Sequence, residues 1–320
     1  MRTLRIRLIA AATGVAAAVG LGLAGSLPSA HGVSATGDGV SATDDGVAAT
    51  DPVGPPQDDF ASAFAYALLH PTAVPSGAND WDCRPDAARP RPVVLVHGTF
   101  ENRYVNWAGL APRLKQQGYC VFATNHGGSG SGPVAGTGDL ALSAGQLAAF
   151  VDRVRSATGA AKVDLVGHSQ GGMMPRHYIK SLGGAAKVDK LIALAPTNHG
   201  TSLWGLGLLA AAFPGGRTLT GATCTACSQQ VTGSDFLEEL NQGGETHPDV
   251  TYTVIVTRHD EVVSPYTSGY LAPRPNVTNQ KVQGFCPLNT TEHVDISYDA
   301  VAERLVLNAL DPARAVRPRC

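Results

Sequence analysis

Short, almost uninterrupted apolar runs recur along the middle of the chain, separated by stretches whose apolar residues return every three or four positions. The runs Pro92 to Val96, Tyr119 to Ala123, Lys162 to Val166, Val188 to Ala195 and Thr251 to Val256 are short and rich in β-branched residues, which predicts strands. Between them, 106–117 carries Leu110 and Leu114 on one face, and 143–155 places Leu147, Phe150, Val151 and Val154 at i, i+3, i+4 and i+7. Helices are also predicted at 172–179 and 299–309. Strands alternating with helices predict an α/β fold with a mostly parallel central sheet flanked by helices.

Two segments break this rhythm. Pro196 to Pro248 is too long for an ordinary connection. Its apolar run from Leu203 to Phe213 is too short to cross a bilayer and reads either as a buried helix closing the core or as a wall of an acyl-binding cleft, with Trp204, Leu206 and Leu208 as candidate substrate contacts. At the N-terminus, Arg2, Arg5 and Arg7 precede an apolar stretch from Leu8 to Ala24, and small residues follow at Gly25, Ser26, Ser29 and Ala30, the layout of a cleaved export signal over 1–30. Near-identical units then begin at Gly32, Gly39 and Gly46. Each has one valine, and glycine or β-branched and acidic residues where a coiled coil needs leucine and alanine, so 31–59 is expected to be a disordered linker or pro-segment. One catalytic domain is expected over 60–320.

Composition narrows the partners. A formal charge of −2 without a basic cluster in the mature part argues against nucleic acid. The six cysteines all follow the linker, and an even number in an exported chain implies disulfides. The expected pairing is Cys83 with Cys120, Cys224 with Cys227, and Cys286 with Cys320. Cys224-Thr225-Ala226-Cys227 has no second C-x-x-C and no thioredoxin-like surroundings to favour zinc or redox chemistry.

The chemistry is carried by Gly167-His168-Ser169-Gln170-Gly171, which lies between a predicted strand and a predicted helix. There a G-x-S-x-G motif is a nucleophile elbow, a tight turn that lifts the serine hydroxyl clear of the sheet. A serine hydroxyl needs a base, and the base needs an orienting acid, in chain order Ser, acid, His. After the apolar region the histidines are His247, His259 and His293. Asp260 and Glu261 follow the strand that ends at Val256, and if either is the acid, His293 is the base. Asp260 is preferred for its shorter side chain; Glu261, Asp249 and Asp295 are the alternatives. His259 is expected to pack beside the site or tune it, and His97 and His168 to be structural.

Acyl transfer also needs donors for the oxyanion. The N–H of Gln170 is one candidate. The loop His97-Gly98-Thr99-Phe100 supplies the other, through the N–H of Thr99 or of Phe100, with the Thr99 hydroxyl as a third donor. The glycine-rich segment 125–133 lacks G-x-G-x-x-G and the P-loop lysine, so it reads as a mobile loop lining the cleft rather than a phosphate cradle. No H-E-x-x-H or close His/Cys cluster points to a catalytic metal, and no cofactor is expected.

From about Trp81 to Pro312 the chain resembles secreted actinomycete-type triacylglycerol lipases of the α/β-hydrolase superfamily. The resemblance rests on Arg91 to Thr99, Gly167 to Gly172, Ala195-Pro196-Thr197-Asn198-His199-Gly200-Thr201, Thr257 to Val263 and the loop at His293. It implies an α/β-hydrolase fold and a serine carboxylester hydrolase acting on acylglycerols, with Ser169, Asp260 and His293 in the catalytic positions and Thr99 and Gln170 as oxyanion donors. A secreted monomer meeting lipid or ester at a lipid-water interface is expected. The alternatives are a short-chain carboxylesterase or polyester depolymerase, a secreted peptidase, and a non-catalytic binding protein on the same fold.

Overall fold

A computed structural model describes residues 51–128, 132, 134–213 and 224–320. In chain order its elements are β1 (Val53–Gly54), α1 (Phe60–Leu69), β2 (Val74–Pro75), β3 (Val93–Val96), α2 (Arg103–Trp107), α3 (Leu110–Gln116), β4 (Val121–Thr124), α4 (Leu140–Thr158), β5 (Val163–His168), α5 (Gln170–Met173), α6 (Pro175–Ser181), β6 (Val188–Leu194), α7 (Leu203–Ala212), α8 (Thr225–Gln229), α9 (Asp235–Asn241), β7 (Thr251–Val256), β8 (Val277–Lys281), α10 (Val282–Phe285) and α11 (Ala300–Leu310).

Six strands form one sheet in the order β4-β3-β5-β6-β7-β8, every neighbouring pair parallel. Alternate side chains on each strand enter two separate cores, as the period of two requires. Val94 and Val96 of β3, Phe122 of β4 and Leu165 of β5 join the core beneath α1, α4, α6 and α7. Val93, Leu95, Val121, Ala123 and Val166 join the opposite core, filled by Leu110 and Leu114 of α3 and by Val301, Leu305 and Val306 of α11. Burial on both faces is why these strands are continuously apolar.

The strand order fixes where a site can form. From β3 the chain moves outward to β4 and then returns to the other side of β3 for β5, so the connections diverge between β3 and β5. At such a switch point the loops leaving the carboxyl ends part and open a crevice. The loops that begin at His97 and at Ser169 both start there.

Several elements differ from expectation. The single helix over 106–117 is two, α2 and α3, broken at Ala108 and Gly109, where a Cβ on Gly109 would come within 2.9 Å of the Tyr298 ring. The elbow helix divides at Pro175, which has no N–H to donate. β8 and α1 are additional. Residues 51–59, expected in the linker, belong to the fold: β1 pairs with β2, Asp51 binds Arg103 at 2.5 Å, and the Tyr104 hydroxyl donates to the Pro55 carbonyl at 2.7 Å. Residues 1–50, with the expected export segment and repeats, lie outside the described residues. The three expected cysteine pairs are bonded, Cys83–Cys120, Cys224–Cys227 and Cys286–Cys320.

Candidate active site

Ser169 stands directly after β5 with φ +52° and ψ −121°, a conformation costly for a residue with a Cβ and held here by the packing around it. The flanking glycines make that turn possible. A Cβ on Gly167 would lie 1.8 Å from the Gly171 carbonyl oxygen, and one on Gly171 would lie 2.2 Å from that of Val96. Elbow and β3 thus touch backbone to backbone.

Side chains from three separate segments form one hydrogen-bonded line. His293 Nε2 lies 3.0 Å from Ser169 Oγ, and His293 Nδ1 lies 3.0 Å from both carboxylate oxygens of Asp260. Asp260 Oδ1 also accepts the N–H groups of Val262 at 3.0 Å and Val263 at 2.6 Å, which fixes the carboxylate. All three residues are buried, Ser169 and His293 at 1% and 0% exposure. Burial works to lower the pKa of His293, but Asp260 first, then Glu261 and Glu101, outweigh it, and the net shift is upward.

The alternative acids lie elsewhere. Glu261 Oε2 accepts the main-chain N–H of His293 at 3.3 Å and does not meet the ring. Asp249 lies beside His247, and Asp295 starts a 3-10 turn beyond His293. His259, expected to pack beside the site, is exposed, its Nε2 accepting from Arg258 Nε at 3.1 Å. His97 is buried against His126, as a structural residue would be.

The oxyanion candidates separate clearly. Phe100 has φ +65°, and its N–H is taken by the Ala135 carbonyl at 2.9 Å, which removes it as a donor. Among the described residues the N–H groups of Thr99 and Gln170 donate to no protein group. The Thr99 hydroxyl is not free: it donates to Gln170 Oε1 at 2.6 Å and accepts from Gln230 Nε2 at 2.8 Å, so it is not the third donor. Gln230 is held in turn by the Thr197 hydroxyl at 3.0 Å and by the Ala226 carbonyl at 3.1 Å.

A match to the lipase (class 2) family model covers residues 90–306 and takes in every residue of the site just described. The chain belongs to the class 2 lipase family. A triacylglycerol lipase of Pseudarthrobacter phenanthrenivorans is 39% identical over 118 residues, 35% of this chain and 33% of that protein, so the match spans about a third of the relative's length. Lipase B of Aspergillus fumigatus shares the fold with a TM-score of 0.59 at 21% identity, over 77% of this chain and 56% of that one. A Bacillus licheniformis lipase in mature form follows at 0.51 and 18%, over 73% and 95%. The architecture of this class 2 lipase is the α/β-hydrolase fold.

The helix α7 is buried on one part of its surface, as the core-closing reading of its apolar run expects, and exposed on another. Leu206 is buried and Leu208 half-buried, while Leu203 and Trp204 are about three-quarters exposed, at 75% and 76%. Its start rests on the Asp260 loop: just before the helix the Thr201 hydroxyl donates to the Val262 carbonyl, and a Cβ on Gly205 would meet the same oxygen. The glycine-rich segment is described at 125–128, 132 and from 134; residues 129–131 and 133 lie outside the described residues. Past it, Ala135 and Gly136 press on the loop after β3, and a Cβ on Gly136 would lie 2.6 Å from the Gly98 carbonyl oxygen. Glu101, Asn106 and Gln230 had no signal in the sequence, because each acts through a partner distant along the chain.

Proposed function

We propose that this class 2 lipase is a carboxylic ester hydrolase that cleaves acylglycerol esters through Ser169, His293 and Asp260. The observation that carries the reading is the continuous hydrogen-bonded line from Ser169 Oγ through the His293 ring to Asp260. Neutral His293 takes the serine proton at Nε2 as Oγ bonds to the ester carbonyl carbon, and Asp260 holds the Nδ1–H tautomer and stabilises the imidazolium. The carbonyl oxygen becomes an oxyanion between the unpaired N–H groups of Thr99 and Gln170. His293 returns the proton to the departing alcohol, leaving an acyl-serine. Water, deprotonated by the same ring, then releases the fatty acid and restores Ser169.

The exposed Leu203 and Trp204 favour a lipid-facing role for α7, with Trp204, Leu206 and Leu208 along the acyl chain. Export and removal of residues 1–30 accord with the three disulfides. The test is Ser169→Ala, expected to lower turnover by roughly a millionfold. A fluorophosphonate should label the wild type at Ser169 and leave the variant unlabelled. Near wild-type hydrolysis of a nitrophenyl ester by the variant would sink the assignment. A rate profile from two-carbon to sixteen-carbon nitrophenyl esters separates a lipase from a short-chain esterase, which would peak sharply at the shortest chain.

A further inference from the structure

Beside the serine lies a buried pair of side chains that the reaction above does not use. His168 precedes Ser169 on the elbow, Glu101 lies on the loop after β3, and each side chain is 1% exposed. His168 Nε2–H donates to the main-chain carbonyl of His293 at 2.8 Å, and His168 Nδ1 lies 2.9 Å from Glu101 Oε2. The same Oε2 accepts the N–H of Gly98 at 2.9 Å. The pair therefore holds the backbone of the residue that carries the proposed base and the backbone adjoining Thr99, a proposed oxyanion donor.

The hydrogen bonding leaves little freedom. A carbonyl oxygen only accepts, so the proton on Nε2 is fixed, while Nδ1 and Oε2 share one proton and stay bonded whichever atom carries it. Asn106 supports the Gly98 end, where its Oδ1 accepts the N–H at 3.0 Å; its Nδ2 lies 3.2 Å from His168 Nδ1, to which it can donate only when Glu101 does not hold that atom. A Cβ on Gly98 would meet Glu101 Oε2 at 2.5 Å, His168 Nδ1 at 3.1 Å and Ser169 Cβ at 3.2 Å, so the loop after β3 and the elbow converge within one methyl group's reach. His293 lies outside any helix or strand, and among the described residues its own N–H has one acceptor, Glu261 Oε2 at 3.3 Å. The grip on its carbonyl is thus a principal anchor of the loop. Buried ionisable pairs add little stability over apolar groups of the same volume, so what this pair contributes is location.

We propose that Glu101 and His168 are positioning residues that hold the His293 carbonyl and the Gly98 N–H, and so keep the imidazole and the oxyanion loop in register with Ser169. This rests on Ser169 and His293 being nucleophile and base.

The test measures kcat and KM on nitrophenyl butyrate for the full chain, divided by the serines that a fluorophosphonate titrates, so that misfolded molecules drop out. Glu101→Ala and His168→Phe should each lower kcat per titrated serine by about 10- to 100-fold with KM within about twofold, because small displacements of a reacting group act on turnover rather than on binding. Glu101→Gln should recover most of the loss and fall only about threefold: its amide oxygen still accepts Gly98 N–H, and His168 Nδ1 can accept from Asn106 Nδ2. Labelling rates should fall in step with kcat. Should Glu101→Ala prove insoluble, Glu101→Asp withdraws the carboxylate by one methylene and is expected to lose about tenfold. A kcat per titrated serine within about twofold of wild type in Glu101→Ala or Glu101→Asp and in His168→Phe overturns the proposal, whatever their stability. Failure of the underlying reading looks different, since Ser169→Ala would then turn over.

Discussion

His97 and His126 stack face to face, with ring centroids 4.0 Å apart and planes within 8° of parallel. Both are buried; the bonds of His97 make it neutral, and burial disfavours the cation of His126, whose Nδ1 meets no partner among the described residues. His97 Nδ1–H donates to the Gly98 carbonyl and its Nε2 accepts the His126 N–H at 3.2 Å, while His126 Nε2–H donates to the His97 carbonyl at 3.1 Å. Burial, helped by the neighbouring ring, holds His97 well below the usual imidazole range, and burial takes His126 to about 4. A base whose folded pKa is depressed contributes stability that is whole above the unfolded value of about 6.5 and is withdrawn as pH falls toward the folded one. His126 alone should withdraw about 3 kcal/mol by pH 4. Asp164 and Glu303, which burial raises to about 6 and about 7, act in the opposite sense but titrate equally in a His126→Phe variant. Unfolding midpoints from pH 7.5 to 4 should therefore fall more steeply for the wild type than for His126→Phe; parallel curves would refute the account.

Two glycines should respond oppositely to alanine. At Gly171 a Cβ would lie 2.2 Å and 2.5 Å from the carbonyl oxygens of Val96 and His97, backbone atoms that cannot move without shifting β3. Gly171→Ala is expected to lose at least about 100-fold in kcat, because the elbow and the oxyanion loop part by a sizeable fraction of an ångström. Gly145, exposed within α4, has nothing within 4 Å of an added Cβ, and Gly145→Ala should raise stability by about 0.5–1 kcal/mol through helix propensity alone. Denaturant unfolding and steady-state rates on the two variants check both signs.

These glycines also mark how far the sequence could be read. That Ser169, Asp260 and His293 come together was legible from the elbow motif, chain order and the strand end after Val256, and β3 and β4 were legible because burial on both faces leaves an apolar run. β8 was not legible. It is an edge strand reading Val277-Thr278-Asn279-Gln280-Lys281, whose residues are half-buried or exposed and so carry no apolar signal. Glu101 carries no signal in the sequence, since its partner His168 is 67 residues away and only the β3–β5 pairing brings the two together.

Thr99 and Gln230 form one unit. Since the Thr99 hydroxyl is spent between Gln170 Oε1 and Gln230 Nε2, its role is to hold the loop and not to meet the oxyanion. Thr99→Val keeps the main-chain N–H and should lose about tenfold in kcat, short of the roughly 100- to 1000-fold that follows loss of an oxyanion donor. Gln230→Ala should lose a similar amount, and the double variant little more than either single one, because both remove the same hydrogen bond. Additive losses, or a loss above about 100-fold for Thr99→Val, would return the hydroxyl to the oxyanion site.

The segment ahead of α1 should be as much a part of the fold's stability as the sheet. Arg103 is buried, and its guanidinium and Asp51 meet at 2.5 Å, with the carbonyls of Thr72 and Ala73 accepting from the same group at 2.6 Å and 3.2 Å. Asp51→Ala strands that cation with two carbonyls and no carboxylate, at a cost of about 3 kcal/mol, the low end for breaking a buried pair because the carbonyls remain. Asp58→Ala is the control, since Asp58 is 99% exposed and lies 4.0 Å from Arg113. An exposed partner at that distance should change stability by less than about 0.5 kcal/mol. Urea unfolding of the two variants at pH 7 decides the point: equal, small losses would mean that residues 51–59 lie on the domain without supporting it, whereas a large loss confined to Asp51→Ala makes them structural.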